Sequence, residues 1–473
     1  MPEVTDMQAR LQAQQAAFQQ DLNQTGGPTL DERKSRLRLL RRLLLENREW
    51  LCERVAEDFG HRSHDETRLL EILPLLKSID HALRHLHRWM RPRRRRAPWY
   101  LQPTRAEVRY QPKGVVGIIV PWNYPLLLAL GPLVDALAAG NRAMIKMPEA
   151  LPGVTRAVTE LIERYFDPTV ISVIAGDVKV AKAFAALPFD HLLFTGSTTV
   201  GRAVMAAAAP NLTPLTLELG GKSPAFVGAR ANLRETARTL AHTKGLNAGQ
   251  TCVAPDYVLL PEHRLQAFLQ YFAEAVADFW PDYQHNEDYS HIIHAQHRQR
   301  LLDLLTEAEA QGAEVHGKAD LPADWQQNER LPVLAVTQVP DSAGLLQEEI
   351  FGPWLPIVTY RQPAEGIAFM RARPRPLALY YFGSDVRSRE DVLCAVPSGG
   401  VAINQALVQL AHPQLPFGGT GASGMGAYHG FEGFQTFSHA RSVVCSGSFN
   451  ALRLLRPPYS GWLHERVRRW LVR

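Results

Sequence analysis

The sequence predicts an α/β protein with two doubly wound α/β domains, and three observations support this prediction. The chain has 473 residues, which is too long for one ordinary core. From about residue 113, short apolar runs alternate with helical stretches, and a second alternation begins after about residue 221. Strands of this kind, separated by helices, are typical of parallel sheets covered on both faces.

Residues 30–90 are predicted to be helical, because leucines and other apolar residues recur there at three- and four-residue spacing with charges between them. Four strand-like runs follow: GVVGIIVPW, NRAMIKM, VISVIAG and DHLLFTG. Helices are predicted between them over 126–139 and 152–165, which is a nucleotide-binding arrangement.

The second alternation contains the runs SPAFVG, YVLLP, GAEVHG and GGVAIN. Helices are predicted over 232–245, 263–279 and 296–311. We interpret this half as a second α/β domain.

Composition narrows the class of protein. Hydrophobic residues make up 46% and charged residues 21% of the chain, as in globular proteins. The net charge is +5, and much of it comes from arginine clusters such as RPRRRR. The prolines in and beside this cluster indicate an exposed connection rather than a binding surface, so nucleic-acid binding is not favoured. The stretch YPLLLALGPLVDALAAG contains Pro132 and Asp135 and predicts a buried helix rather than a membrane span.

The cysteines indicate the compartment. Cys52, Cys252, Cys394 and Cys445 form no CxxC pair, so neither a zinc ribbon nor a dithiol motif is present. The N-terminus lacks the basic start and apolar run of a signal peptide. We therefore expect a cytoplasmic protein without structural disulfides.

Three local patterns could carry chemistry. FTGSTTVG is a strand, a glycine turn and a helix start, where free N–H groups suit a pyrophosphate, although such glycines are as often structural. Glu218 lies at an otherwise apolar strand end, where it could be a general base or a carboxylate bonded by the Gly220–Gly221 turn. Cys252 alone is more typical of buried packing, although a following helix N-terminus could activate it.

Seven motifs in order change that assessment. The motifs are PWNYP at 121–125, KMPE at 146–149, FTGSTTVG at 194–201, LELGGKSP at 217–224, GQTCVAPDY at 249–257, EEIFGP at 348–353 and PFGG at 416–419. Together they resemble the aldehyde dehydrogenase superfamily over about residues 30–445. The details are most similar to its class-three-like branch, which includes fatty-aldehyde and coniferyl-aldehyde dehydrogenases.

The resemblance implies three catalytic residues. Cys252 would be the nucleophile that forms a thiohemiacetal and then a thioester. Asn123 would donate its amide to the oxyanion, together with the backbone N–H of Cys252. Glu218 would activate the water that hydrolyses the thioester.

The resemblance also implies a cofactor site for NAD, with NADP possible. Lys146 and Glu149 would hold the adenosine ribose, Glu349 the nicotinamide ribose, and Phe351 would flank the ring. The pyrophosphate would lie against Gly196, Ser197, Thr198, Thr199, Val200 and Gly201. Glu149 would repel a 2′-phosphate, which favours NAD.

The domain boundaries follow from the same resemblance. Residues 1–91 and 114–220 would form the NAD-binding domain, and residues 221–404 the catalytic domain. Residues 92–113 and 405–445 would form a small β arm that builds a homodimer, and residues 446–473 a C-terminal tail.

The substrate is expected to be an aromatic or aliphatic aldehyde, with a coniferaldehyde-like aldehyde favoured. Alternatives are a medium- or long-chain fatty aldehyde, transfer of the thioester to coenzyme A, and a non-catalytic protein that kept the fold. Glu218 argues against coenzyme A, because a water-activating base would then have no use.

Two further patterns have less specific interpretations. HIIHAQH places His291, His294 and His297 at three-residue intervals, but nothing completes a metal site, so surface histidines are favoured; HALRHLH at 81–87 is interpreted in the same way. The tail YSGWLHERVRRWLVR is basic and amphipathic. Packing over the substrate entrance or a partner subunit is favoured over peripheral membrane contact, and we expect removal of residues 457–473 to alter specificity or solubility.

Overall fold

Sixteen helices and sixteen strands form three sheets and their covering layers in a computed structural model, which describes residues 2–98, 101–447 and 456–471. The helices are α1 Pro2–Thr25, α2 Leu30–Asp58, α3 His64–Thr67, α4 Leu73–Trp89, α5 Pro125–Ala139, α6 Pro152–Tyr165, α7 Val178–Ala185, α8 Thr198–Ala208, α9 Leu233–Gly245, α10 Leu265–Phe279, α11 Ala295–Ala310, α12 Gly344–Gln347, α13 Pro363–Arg371, α14 Val386–Ala395, α15 Gly430–Thr436 and α16 Trp462–Leu471. A π-helix, Arg68–Ile72, joins α3 to α4.

The strands follow the same numbering in chain order. They are β1 Arg93–Arg95, β2 Arg105–Pro112, β3 Val115–Ile119, β4 Arg142–Lys146, β5 Ile171–Ile174, β6 His191–Gly196, β7 Leu215–Leu219, β8 Pro224–Val227, β9 Tyr257–Pro261, β10 Glu314–His316, β11 Leu334–Thr337, β12 Trp354–Tyr360, β13 Ala378–Phe382, β14 Gly400–Ile403, β15 Gly424–Met425 and β16 Ser438–Cys445.

The first sheet has the strand order β15-β7-β6-β3-β4-β5. Its strands are parallel apart from β15, which pairs antiparallel with β7. The chain runs outward from β3 to β4 and β5 on one side and to β6 and β7 on the other, which is the doubly wound pattern. The four runs predicted as strands are β3, β4, β5 and β6, and the predicted fold class is confirmed.

Helix α5 packs between this sheet and the N-terminal helices. All its residues are buried, including Asp135, because both of its sides are covered by protein. The stretch predicted to be a buried helix is therefore confirmed as one. Arg33 on α2 fixes its C-terminal end, donating to the carbonyls of Ala138 and Ala139.

The second sheet has the order β10-β11-β12-β9-β8-β13-β14, and only β10 runs antiparallel to its neighbour. Helices α9, α10 and α11 match the three helices predicted for this half within two residues at each end. Strands β11, β12 and β13 were not predicted, although they are among the most deeply buried strands.

The third sheet is a small antiparallel one, ordered β1-β2-β16. It combines residues 93–95 and 105–112 with residues 438–445, as expected of the predicted arm. Strand β15, however, lies within the residues assigned to the arm and pairs with the first sheet. The domain boundaries themselves stay a prediction.

The tail contains helix α16, on which Trp462 is 70% and Trp470 is 65% exposed. Both side chains are thus largely exposed, and packing of the tail over the substrate entrance or on a partner subunit stays a prediction. Residues 448–455 of the tail lie outside the described residues. None of the helices in the described ranges is long and apolar enough to cross a membrane.

Candidate active site

The predicted catalytic residues converge where the two large sheets face each other. In the first sheet, Lys146, Gly196 and Glu218 lie at the carboxyl ends of parallel strands, and Asn123 follows β3. In the second sheet, Cys252 and Glu349 precede the amino ends of β9 and β12. Because the short link 220–223 runs from β7 to β8, these two edges are held together.

The turn before Cys252 has an unusual backbone. Asn247, Ala248 and Gly249 have φ values of 49°, 50° and 74°, a left-handed conformation that costs non-glycine residues roughly 1–2 kcal/mol each. A Cβ atom on Gly249 would lie 2.1 Å from the carbonyl oxygen of Gly352. The turn is therefore held by its surroundings, and it leads directly to the cysteine.

The Cys252 thiol is half-buried, and Glu349 and Glu218 lie near enough for their charges to act on it. Burial, with smaller contributions from Glu349 and Glu218, raises the pKa of Cys252 to about 12, against the opposing effect of the backbone N–H groups of Cys252 and Val253. The expectation that a helix N-terminus follows Cys252 is wrong, since a turn leads from it to β9. The only groups that favour the thiolate here, among those acting on it in the described residues, are thus the backbone N–H groups of Cys252 and Val253.

Glu218 sits in strand β7 and is 2% exposed. Neither of its carboxylate oxygens has a hydrogen-bond partner among the described residues, so the alternative that the Gly220–Gly221 turn bonds it is not observed. Burial raises the pKa of Glu218 well above its ordinary value. A buried carboxylate without partners is costly to ionise and has the raised pKa of a general base.

Asn123 is 3% exposed, in the turn between β3 and α5. Its Nδ2 donates to the carbonyl of Gln250 at 3.1 Å, which ties it to the turn that carries Cys252. An amide nitrogen has two N–H groups, so a second one remains to face the reacting atoms. Tyr124 adds a bond of 2.7 Å between its hydroxyl and that of Thr251.

Glu349 and Phe351 lie on the loop before β12. Burial raises the pKa of Glu349 to about 8, and its Oε1 has no partner among the described residues. Phe351 has a φ of 54°, which is uncommon for an aromatic residue. A Cβ on Gly220 would lie 1.9 Å from Oε2 of Glu349, so only glycine permits this approach.

Helix α11 holds this loop in place through contacts that the sequence does not predict. Arg300 donates to the carbonyls of Glu349 at 2.7 Å and Ile350 at 3.0 Å. His297 bonds to the carbonyl of Phe351 at 2.8 Å, and burial lowers the pKa of His297 to about 4. The prediction of a surface histidine is therefore wrong for His297, because its neutral ring is used as a donor.

The other predicted histidines differ among themselves. His294 is exposed, as expected, whereas His291 is mostly covered and lies 3.1 Å from Glu329. His81 on α4 is buried, so the surface interpretation is wrong there as well. Among the described residues, no group of three histidine, cysteine or carboxylate side chains is arranged to hold a metal ion.

The residues predicted to bind the pyrophosphate form the exposed start of α8. Ser197 caps the helix by accepting the N–H of Val200, and the first N–H groups of a helix have no carbonyl one turn earlier. Gly201 also has a packing role, because a Cβ there would lie 2.6 Å from Leu219, while its predicted contact with the pyrophosphate stays a prediction. Gly201 lets α8 pack on the sheet, and the start of α8 suits an anion.

The two residues predicted to bind the adenosine ribose, Lys146 and Glu149, are only partly held in place. Lys146 is buried and donates to the carbonyl of Met147 at 2.7 Å. Its Nζ lies 3.8 Å from Glu149, whose side chain is 52% exposed. The exposed carboxylate of Glu149 and the unpartnered Oε1 of Glu349 fit hydroxyl groups such as those of a dinucleotide.

A cavity of about 540 Å³ adjoins the turn Leu246–Gly249, which precedes Cys252. The apolar walls of the cavity are Leu246, Leu70 and Leu407. Its polar lining includes Arg238, His242, Gln405 and other side chains. The cavity therefore combines apolar walls with several hydrogen-bonding groups.

Comparison with known proteins gives one consistent result. The model of the aldehyde dehydrogenase family matches residues 2–443. A probable coniferyl aldehyde dehydrogenase of Pseudomonas aeruginosa is 47% identical over 471 residues, covering 100% of this chain and 97% of its own.

Solved structures give the same picture. The substrate-bound state of Staphylococcus aureus AldH has a TM-score of 0.91 at 36% identity, covering 99% of both chains. A Mycobacterium tuberculosis aldehyde dehydrogenase complexed with NAD⁺ has a TM-score of 0.84 at 26% identity, covering 94% of this chain and 91% of its own.

Proposed function

This chain belongs to the aldehyde dehydrogenase family, and from that premise we propose that it oxidises a coniferaldehyde-like aldehyde to its carboxylic acid through a Cys252 thioester. One observation carries the proposal. The buried Glu218, whose carboxylate oxygens have no partner among the described residues, lies near enough to act on the Cys252 thiol, while Asn123 is bonded to the carbonyl of Gln250, two residues before Cys252. A nucleophile, a base and an oxyanion donor are thus grouped in one site.

In the first half of the reaction, Cys252 attacks the aldehyde carbon. The thiol passes its proton to solvent water, and the C–S bond forms as the π bond of the carbonyl breaks, which leaves the carbonyl oxygen as an oxyanion. The free N–H of the Asn123 amide and the backbone N–H of Cys252 donate to that oxyanion, as preorganised donors do where negative charge develops.

In the second half, the thiohemiacetal collapses to a thioester and water hydrolyses it. When bound, the nicotinamide cofactor supplies the hydride acceptor. Glu218 takes a proton from water as the hydroxyl attacks the thioester carbon, and the thiolate leaves as the acid forms. A carboxylate with a raised pKa is a stronger base for this step than an ordinary one.

We propose that NAD is the preferred cofactor and that NADP is a possible second one. The exposed start of α8 would hold the diphosphate, and Glu349 the nicotinamide ribose. Lys146 and Glu149 would face the adenosine ribose, where the negative charge of Glu149 disfavours a 2′-phosphate.

The preference for a coniferaldehyde-like substrate is supported by a relative that covers the whole length of this chain. The relative of similar length from Pseudomonas aeruginosa has a name that agrees with this substrate class.

We also propose a cytoplasmic homodimer. Cys52, Cys252, Cys394 and Cys445 are all free thiols, as expected in a reducing compartment. Strand β16 pairs with β2 on one side only among the described residues, and an exposed strand edge is a surface to which a second copy can pair.

The test is NADH formation from coniferaldehyde, benzaldehyde, hexanal and dodecanal. We expect coniferaldehyde to have the highest kcat/KM, and Cys252→Ser to abolish turnover, whereas Cys394→Ser, which alters an exposed thiol, leaves it intact. A preference for dodecanal would favour the fatty-aldehyde alternative. No turnover of any of the four aldehydes would count against the proposal.

The role of Glu218 is tested by rapid mixing of Glu218→Gln with aldehyde and NAD. Because the base acts on the thioester, we expect a burst of NADH followed by a steady state slower by about 10²–10⁴-fold. A loss of the burst itself would show that Glu218 acts before the thioester forms.

A further inference from the structure

We propose that Arg62 is a positioning residue that fixes the oxyanion donor Asn123 relative to Cys252; this inference rests on the proposed function. Arg62 lies in the connection between α2 and α3 and is 0% exposed. It does not touch the reacting atoms. It acts through the backbone of the turn from which the Asn123 amide projects.

The contact that carries the inference is a hydrogen bond from Nη1 of Arg62 to the main-chain carbonyl of Asn123, 3.1 Å long. The same carbonyl accepts Nδ2 of Asn247 at 3.0 Å. Asn123 is therefore held at its backbone oxygen by two donors and at its side chain by Gln250. Because the backbone oxygen and the side chain of Asn123 are both held, the second N–H of its amide can point in only one direction.

Two buried carboxylates hold the guanidinium of Arg62 in place. Nη1 lies 2.9 Å from Glu71, and Nε lies 3.8 Å from Glu66. The rings of Tyr124 and Phe59 cover the guanidinium, with their centres 4.8 Å and 5.2 Å from its carbon. An arginine enclosed in this way has one position available.

The carboxylates extend the contact to both sides of the site. Glu71, in the π-helix, accepts the N–H groups of Leu126 and Leu127 at 2.8 Å and 3.0 Å, which fixes the start of α5 just after Asn123. Glu66 accepts the N–H of Asn247 at 2.9 Å. The three residues therefore join the oxyanion turn to the left-handed turn before Cys252.

Such a cluster is more than a source of stability. Removing three charges from water costs several kcal/mol per ion, and a hydrophobic cluster of the same shape is often as stable. The charged groups also fix the orientation of the turns they bind, because hydrogen bonds constrain angles that packing alone would leave free. An error of about 1 Å in a catalytic group can cost about 100-fold in rate.

The experiment compares two reactions of the same thiol. Acylation of Cys252 by 4-nitrophenyl acetate passes through an oxyanion, whereas alkylation by iodoacetamide does not, and neither needs a nicotinamide. In Arg62→Met we expect acylation to slow by about 10- to 100-fold, with alkylation unchanged. Aldehyde oxidation should lose kcat to the same degree as acylation.

Arg33→Met is the matched control. Arg33 is also buried and also binds main-chain carbonyls, but at the other end of α5. If Arg62 merely stabilises the fold, the two variants will lose acylation and alkylation together in proportion to their loss of stability. That result would overturn the proposal.

Two further variants keep the test decisive. Arg62→Lys retains the charge in case Arg62→Met does not fold, and we expect a smaller, still selective loss of acylation because an ammonium has no planar fork. In an Asn123→Ala background, Arg62→Met should have little further effect, since both act on the same donor; a full additional loss would contradict the inference.

The proposed function can fail separately. If the unmodified protein oxidises no aldehyde but its acylation still falls selectively in Arg62→Met, the aldehyde substrate is wrong and the role of Arg62 stands. If aldehyde oxidation is present but acylation and oxidation are unaffected in Arg62→Met, the role of Arg62 is wrong and the function stands.

Discussion

Burial is the main reason for the raised pKa of Cys252, and two acidic neighbours with different surroundings add to it. Glu349 receives the N–H of Gly221 and faces Lys222, and both lower its pKa, whereas Glu218 has only burial acting on it. Each carboxylate that ionises disfavours the thiolate. The resting thiol therefore stays protonated at neutral pH.

Glu349→Gln tests this account. The substitution removes a negative charge beside the thiol, so we expect the pKa of Cys252 to fall, as measured by the rate of iodoacetamide alkylation while the pH is raised. Glu163→Gln is the control, because it removes a carboxylate at an exposed position on α6. An unchanged or higher thiol pKa in Glu349→Gln would contradict the account.

At this scale the sequence predicts the reactive residues but not those that hold them. Cys252, Glu218 and Asn123 stand in motifs whose order can be read along the chain, although their roles stay predictions. Arg62 and Arg300 act through main-chain carbonyls far away in the sequence. Backbone acceptors have no residue type, so no local pattern could indicate these contacts.

Helix α5 shows how burial affects an element. Asp135 lies within it and accepts the N–H of His429 at 3.0 Å, and no cation among the described residues compensates its charge. Burial raises the pKa of Asp135 from 3.8 to about 8. Between these two values the unfolded chain has lost the proton that the folded chain keeps, so stability falls as the pH rises from about 4 to about 8.

Asp135→Asn should remove this dependence while keeping an acceptor for His429. We expect the variant to gain stability relative to the unmodified protein, with a gain that grows between pH 5 and pH 8, as measured by urea unfolding at both values. Asp303→Asn, an exposed position on α11, is the control. An equal gain at both pH values would show that the carboxyl proton is not responsible.

Elements with strong local patterns were predictable and others were not. Strand β6 contains the apolar run HLLF and was predicted from it. Strand β1 is three arginines and exists only because β2 offers it hydrogen-bonding partners. Strand β12 contains Pro356, and a proline within an apolar run argues against a strand.

At the scale of the whole molecule, the three sheets have different roles. The two large sheets contribute opposite halves of the site, and the small sheet lies apart with an exposed edge strand. On β16, Val444 is 62% exposed. An apolar side chain on a free strand edge is a surface for a second copy of the chain.

Val444→Asp should therefore weaken the proposed dimer. We expect the unmodified protein to have twice the chain mass of 52.9 kDa by light scattering, and Val444→Asp to shift toward a single chain mass. Val386→Asp on α14, where the valine is 59% exposed, controls for added charge. A monomeric unmodified protein would refute the dimer.

The raised pKa of Cys252 has a consequence for the lifetime of the protein. Peroxides oxidise thiolates rather than thiols, and a thiol that remains protonated at neutral pH is a poor target. Cys394 and Cys445 are exposed, so an oxidant reaches them first. The protonated Cys252 thiol is thus a poor target for peroxides and stays reduced until substrate reaches it.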